Sequence, residues 1–346
     1  MQGDHTRAAR RAVGTTTPRH RRRASLAALV LVPLGLAATA VPASAAVVVQ
    51  RGLDGGILLL DPAAPATAEP KLLAFGRCPV LTPDAQTVVF VGPDDRSLLA
   101  APTSGGETRL LSAGVSAGKG CEDEPVVSPD GSTVAGRTSS GRIITVRLSD
   151  GRRTKVGTKS VSPIALVPGG KSILIDRNAK GGGIDILSAT NKKKPRLRRL
   201  TKDHVSYAPT WAYKWVIYSR VEKGRTTLRR LTPKNGKSKR LLRRPKNWLV
   251  TGTGIGPNGS RVLVVTQRVR AKDFEPRGPI SIGSMHPRTG KTRWLPALGT
   301  GEQPLGGTDQ GTGALVIDGG GQLFRIDLAT GERTLLTTGV VAAAGA

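Results

Sequence analysis

Short apolar runs alternate with polar, glycine-containing turns along almost the whole of this 346-residue chain. The clearest case is Pro125-Val-Val-Ser-Pro-Asp-Gly-Ser-Thr-Val-Ala-Gly-Arg137. Ser128-Pro129-Asp130-Gly131 has the chemistry of a type I turn: proline sets φ at the second position, aspartate bonds back to the backbone, and glycine ends the turn. The apolar residues on either side predict the two strands of a hairpin. The unit recurs. Pro79-Val-Leu-Thr-Pro-Asp-Ala leads into an apolar run at 87–91, Pro163-Ile-Ala-Leu-Val-Pro-Gly-Gly into one at 172–175, and Gly256-Pro-Asn-Gly into one at 261–265. Residues 209–218 carry a version with a shorter turn, and residues 304–317 a degenerate one. The leading prolines at 79, 125, 163 and 209 are spaced 46, 38 and 46 residues apart. A period of about 40–50 residues with all-β content predicts a β-propeller of four-stranded blades.

These hairpins resemble the repeats of TolB-like (WD-repeat-like) β-propellers, whose pattern is Pro-x-aromatic-Ser-Pro-Asp-Gly followed by an apolar strand. Ser128-Pro129-Asp130-Gly131 matches that turn fully, whereas the unit at 209–218 lacks Pro-Asp-Gly. The resemblance covers nearly all of the chain after residue 45. It implies a fold rather than a function, because propellers host unrelated activities.

Blade count follows from the ends of the chain. Residues 46–50, 56–61 and 71–75 read as three strands without an inner strand of their own. Six hairpin units follow, starting near Cys78, Glu124, Ser162, Ala208, Val250 and Gln303. Residues 340–344 can supply the missing inner strand, which makes seven blades with one shared between the termini. If the first three strands only cap the structure, the count is six, as in TolB.

The first 45 residues read as an address rather than as fold. Arg19-His-Arg-Arg-Arg23 is a basic n-region, residues 26–36 an apolar core, and Ala43-Ser44-Ala45 a small-residue cleavage site. Pro33, Gly35 and Pro42 interrupt the run too early for a membrane span. Both the general secretory route and, through Arg22-Arg23, a twin-arginine route stay open. Residues 46–346 then form a single propeller domain, expected to be secreted or extracytoplasmic and monomeric.

Charge changes the picture most. The formal net charge is +29, and residues 192–246 hold 20 of the 53 lysines and arginines against two acids, Asp203 and Glu222. Charge this uneven belongs to one region. Arg196, Arg198 and Arg199 fall in one outer-strand candidate, and Arg229, Arg230, Lys239, Arg240, Arg243 and Arg244 surround two more. These nine residues are the candidate binding site. The partner they suit is an anionic cell-envelope polymer or an acidic protein; the alternative is a solubilising face. The same region holds Tyr207, Trp211, Tyr213, Trp215 and Tyr218, with Trp248 just beyond it, an interleaving that can signal nucleic acid. An extracellular address argues against that, and Trp211, Tyr213 and Trp215 read as packing between blades.

Cys78 and Cys121 are the two cysteines of the chain. Each precedes or opens the inner strand of consecutive blades, so a disulfide is expected in an oxidising compartment, with buried free thiols as the alternative. Glu122-Asp123-Glu124 could form a cation or ligand site at the pore mouth, or a solvated acidic loop. Gly254-Ile-Gly256-Pro-Asn-Gly259 matches a dinucleotide fingerprint by letter, but a β-run follows it and no helix awaits a phosphate. His204 and His286 are the only histidines after residue 45. The expectation is a binding module without cofactor or metal. The alternatives are an interaction platform of the TolB-like kind that uses the pore face, and a propeller lyase or glycosidase.

Overall fold

The computed structural model describes residues 46–345 apart from 53–54, 62–67, 117, 119–120, 122–123, 160–164, 179–182, 257–258, 271–274 and 309–310. The leader expected at 1–45 lies outside the described residues, as do Glu122 and Asp123. Seven antiparallel four-stranded sheets follow one another around a ring. From inner to outer strand, blade 1 is Val340–Gly345, Val47–Arg51, Gly56–Leu60 and Lys71–Phe75. Blade 2 is Arg77–Leu81, Thr87–Val91, Ser97–Pro102 and Arg109–Ala113, and blade 3 is Val126–Val127, Thr133–Arg137, Arg142–Arg147 and Arg153–Lys159. Blade 4 is Ala165–Leu166, Ser172–Asn178, Ile184–Thr190 and Leu197–Arg199, and blade 5 is Ser206–Ala212, Trp215–Glu222, Arg225–Leu231 and Ser238–Lys246. Blade 6 is Trp248–Ile255, Arg261–Val269, Pro276–Met285 and Thr292–Trp294, and blade 7 is Gln303–Thr308, Gly313–Ile317, Leu323–Asp327 and Arg333–Thr337.

The ring is closed by the two ends of the chain. Val340–Gly345 pairs antiparallel with Val47–Arg51, with Val48 opposite Ala344 and Val49 opposite Ala343. The seven-blade reading therefore holds, and the three N-terminal strands are not a cap. Closure completes blade 1, so that the inner edges left are the short ones that line the channel.

The repeated turn works as its residues require. Ser128 Oγ donates to Asp130 Oδ1 at 2.6 Å, Thr133 N donates to Ser128 Oγ at 3.0 Å, and Gly131 takes the left-handed conformation at φ +71°. Blade 2 builds the same turn from Thr82 and Asp84, with Ala85 in the left-handed position at φ +58°.

Apolar side chains pack between blades rather than in one central core. Seven buried clusters lie at the seven interfaces. One joins Val89, Val91 and Leu98 of blade 2 to Val134 and Val146 of blade 3, and another joins Val48 and Ile57 of blade 1 to Val88 and Phe90 of blade 2. Cys78 and Cys121 are disulfide-bonded with their Cα atoms 5.5 Å apart, tying the inner strand of blade 2 to the approach to blade 3. Trp211 and Trp215 pack against interblade clusters as expected. Tyr213 does not: it sits in the hairpin turn at φ +58° and is 56% exposed.

Candidate functional site

The basic run lies on the outer edge of blade 4 and on blade 5. Two blades contribute because the run covers the outermost strand of blade 4 and all of blade 5. In blade 5 the register places Arg229 opposite Arg240 and Arg230 opposite Lys239. Like charges facing each other across an antiparallel pair oppose folding of that pair.

The nine candidate side chains divide by what they touch. Lys239, Arg240 and Arg243 are exposed on the outermost strand of blade 5, and Arg196 is exposed at the approach to the outermost strand of blade 4. Arg198, also exposed, donates to the Lys234 carbonyl at 3.1 Å and so links blade 4 to the turn of blade 5. Arg229 Nε donates to Ser238 Oγ at 2.9 Å. Arg230 lies 4.7 Å from the Trp215 ring centre and donates to the Arg288 carbonyl of blade 6.

Arg199 and Arg244 are turned onto protein partners. Arg199 pairs with Asp185, whose side chain is 3% exposed; its Nε donates to Asp185 Oδ2 at 3.0 Å. Asp185 also takes the His204 backbone N–H at 3.1 Å and lies 2.9 Å from His204 Nδ1. Burial pushes the Asp185 carboxyl up, but the bonds from Arg199 and His204 and the Arg199 charge outweigh it and hold its pKa below the ordinary value. Arg244 stacks between Trp294 and Trp248, at 4.2 and 5.3 Å, and burial pushes its guanidinium pKa down. Arg199 and Arg244 thus join strands and blades, while Arg196, Arg198, Lys239, Arg240 and Arg243 face solvent. Trp294 was not singled out in the sequence because about fifty residues separate it from Arg244, and nothing local marks the pair.

The inner strands of all seven blades line a central cavity of about 300 Å3. Its wall is mostly apolar, including Pro79, Pro125, Trp211, Ile255 and Leu305. Among the described lining residues Glu124 is the one titratable side chain. It reaches solvent in the channel, yet surrounding protein raises its carboxyl pKa by burial. Among the described residues no group of three or more His, Cys, Asp or Glu side chains is placed to hold a metal ion. No described helix is long and apolar enough to cross a membrane.

No protein-family model matches this chain, and no curated protein matches its sequence. Solved structures do match its shape. TolB from Acinetobacter baumannii superposes with a TM-score of 0.53 at 17% identity, over 86% of this chain and 81% of that one. Oligogalacturonate lyase from Vibrio parahaemolyticus gives 0.59 at 10% identity, over 85% of each chain. An oligogalacturonate lyase in complex with manganese gives 0.57 at 11% identity, over 84% and 83%. At such identities the likeness is one of fold: this chain is a β-propeller, as those proteins are, and its own blades number seven.

Proposed function

We propose that this chain is an extracytoplasmic binding propeller that recognises an anionic envelope component through the rim of blades 4 and 5. The observation that carries the reading is the like-charge register of half-buried Arg229 and Arg230 with exposed Arg240 and Lys239 on the two outer strands of blade 5. Such a register costs stability in the free protein, and an anion lying across it removes the repulsion. The disulfide and the leader-like first 45 residues support an oxidising compartment outside the cytoplasm. The likeness to TolB supports an interaction role.

The test is retention on immobilised anionic cell-wall polymer across a salt gradient. Binding steered by exposed charge weakens steeply as salt shortens the reach of the field to about 10 Å at 0.1 M. Replacing Arg198, Lys239, Arg240 and Arg243 with Ser is expected to weaken retention while leaving the melting temperature unchanged or higher. Equal retention of wild type and variant at low ionic strength would remove the rim from consideration.

A second reading places a protein partner at the channel. Leu305, 37% exposed, and Glu124 offer an apolar mouth with one carboxylate among the described lining residues. Loss of a captured partner on Glu124→Gln, with rim variants unaffected, would favour it.

A further inference from the structure

In a four-stranded antiparallel blade the connection between the first and second strands lies at the same end as that between the third and fourth. All seven blades are laid down in the same order from the channel outwards, so these connections share one face of the disc. On blades 4, 5 and 6 they are residues 167–171, 191–196, 213–214, 232–237, 256–260 and 286–291. Together they hold eight lysines and two arginines but no Asp or Glu, so this part of the face carries charge of one sign. Elsewhere on the face the same connections carry carboxylates, among them Asp84, Asp130, Asp150 and Glu332. Asp203, Glu222, Glu275 and Glu302 of blades 4 to 6 stand at the opposite face, where Arg220 pairs with both Asp203 and Glu222.

The cationic connections are held in place by the neighbouring blade. A Cβ on Gly157, in the outermost strand of blade 3, would stand 2.3 Å from the Lys193 carbonyl oxygen of blade 4. Arg198 of blade 4 holds the Lys234 carbonyl of blade 5 at 3.1 Å. Gly290 of blade 6 lies as close to blade 5, where a Cβ would meet the Leu241 carbonyl oxygen at 2.8 Å. The backbone is thus fixed across three blades while the side chains of Lys193, Lys234, Lys237 and Lys291 reach solvent.

One aromatic ring stands among these cations. In blades 2, 3, 4 and 6 the first hairpin turn places a small residue in the left-handed region: Ala85, Gly131, Gly170 and Gly259. Blade 5 places Tyr213 there, at φ +58° and 56% exposed, with the Lys214 ammonium 5.5 Å from its ring centre. A bulky side chain at such a φ is strained, and packing does not account for it because the ring faces water.

We propose that this face of blades 4 to 6 docks on an anionic lipid bilayer, with the lysines over the headgroup phosphates and the Tyr213 ring at the interfacial level. A lipid headgroup layer offers mobile anions without fixed geometry, which suits compact ammonium groups on flexible stems; the nine residues of the rim, eight of them arginine, suit fixed bidentate partners instead. Tyrosine favours the boundary between headgroup and acyl chain, where its ring is buried and its hydroxyl stays wet. The face uses residues outside the nine of the rim and stands whether or not the rim binds anything.

The experiment is cosedimentation of residues 46–346, the closed ring without the apolar run at 26–36, with phosphatidylcholine vesicles that contain or lack about a third of phosphatidylglycerol. Wild type is expected to bind the anionic vesicles and not the neutral ones, and salt is expected to release it. Lys193→Ser with Lys234→Ser and Lys291→Ser, one change per blade, is expected to weaken binding about thirtyfold or more. These side chains are exposed, so an unchanged melting temperature certifies the fold. Tyr213→Gly removes the backbone strain, so its melting temperature is expected to hold or rise while binding weakens about threefold or more. A rim variant, Lys239→Ser with Arg240→Ser and Arg243→Ser, is expected to keep vesicle binding within about threefold. The proposal is overturned if wild type binds neither vesicle or both alike, or if the lysine variant binds like wild type. Loss in the rim variant alone overturns it too and moves the contact to the rim. Full binding by Tyr213→Gly also overturns it, because a face of charge alone would serve any polyanion.

Discussion

The Arg244 guanidinium, on the outermost strand of blade 5, lies 4.2 Å from the centre of the Trp294 ring on the outermost strand of blade 6. Trp248 lies 5.3 Å away from the same guanidinium. A cation stacked on indole in a half-buried seam contributes on the order of 1–2 kcal/mol, together with the packing of its methylene stem. Arg244→Ala is therefore expected to lower unfolding stability by about that amount in a urea titration. Arg243→Ser, one residue away and exposed, is expected to stay within about 0.5 kcal/mol. Equal losses from the two would contradict the clamp.

Asp185 holds together the outer half of blade 4 through Arg199, Thr201 and His204. Asp185→Asn is expected to cost about 2 kcal/mol at pH 7, less than for a wholly buried pair because Arg199 is 41% exposed. The folded carboxyl titrates below its unfolded value of about 3.9. Its contribution is thus present above that value and lost as pH falls through the lower folded one. Stabilities of wild type and variant are expected to converge below about pH 4. A gap that persisted unchanged at pH 2 would contradict this.

The Cys78–Cys121 bond closes a loop with a sequence separation of 43. In the chain-entropy account a loop of that length stabilises by about 4 kcal/mol, an upper figure for the measured effect. Reduction is expected to lower the denaturant midpoint correspondingly. Peptide mapping without reductant should recover both cysteines in one cross-linked fragment. Two alkylatable thiols in native protein would refute it.

Ring closure depends on the last strand. Truncation before Val340 removes the partner of Val47–Arg51 and takes Val340 from the cluster between blades 7 and 1. A free inner edge beside an opened apolar seam is expected to produce concentration-dependent association by light scattering and a broadened melt. A truncated chain that stayed monomeric with an unchanged melt would show that the ring does not need its clasp.

Fold was legible in the chain because it is written locally and repeated. Each hairpin carries its own turn chemistry, as at Ser128–Gly131, and the orphan strands at both ends can complete one blade by pairing with each other. The cysteine pair was legible for the same reason: the two residues stand in or just before the inner strands of consecutive repeats. Site chemistry was legible only as a region. The density of Lys and Arg in 192–246 pointed to blades 4 and 5, but linear spacing did not show that Arg199 turns onto Asp185 or that Arg244 stacks on Trp294. The physical reason is that strand alternation decides which side of a sheet a residue takes, whereas its neighbour across the seam belongs to another blade. Which cations are stacked or paired, and which still face solvent, is settled by packing between blades.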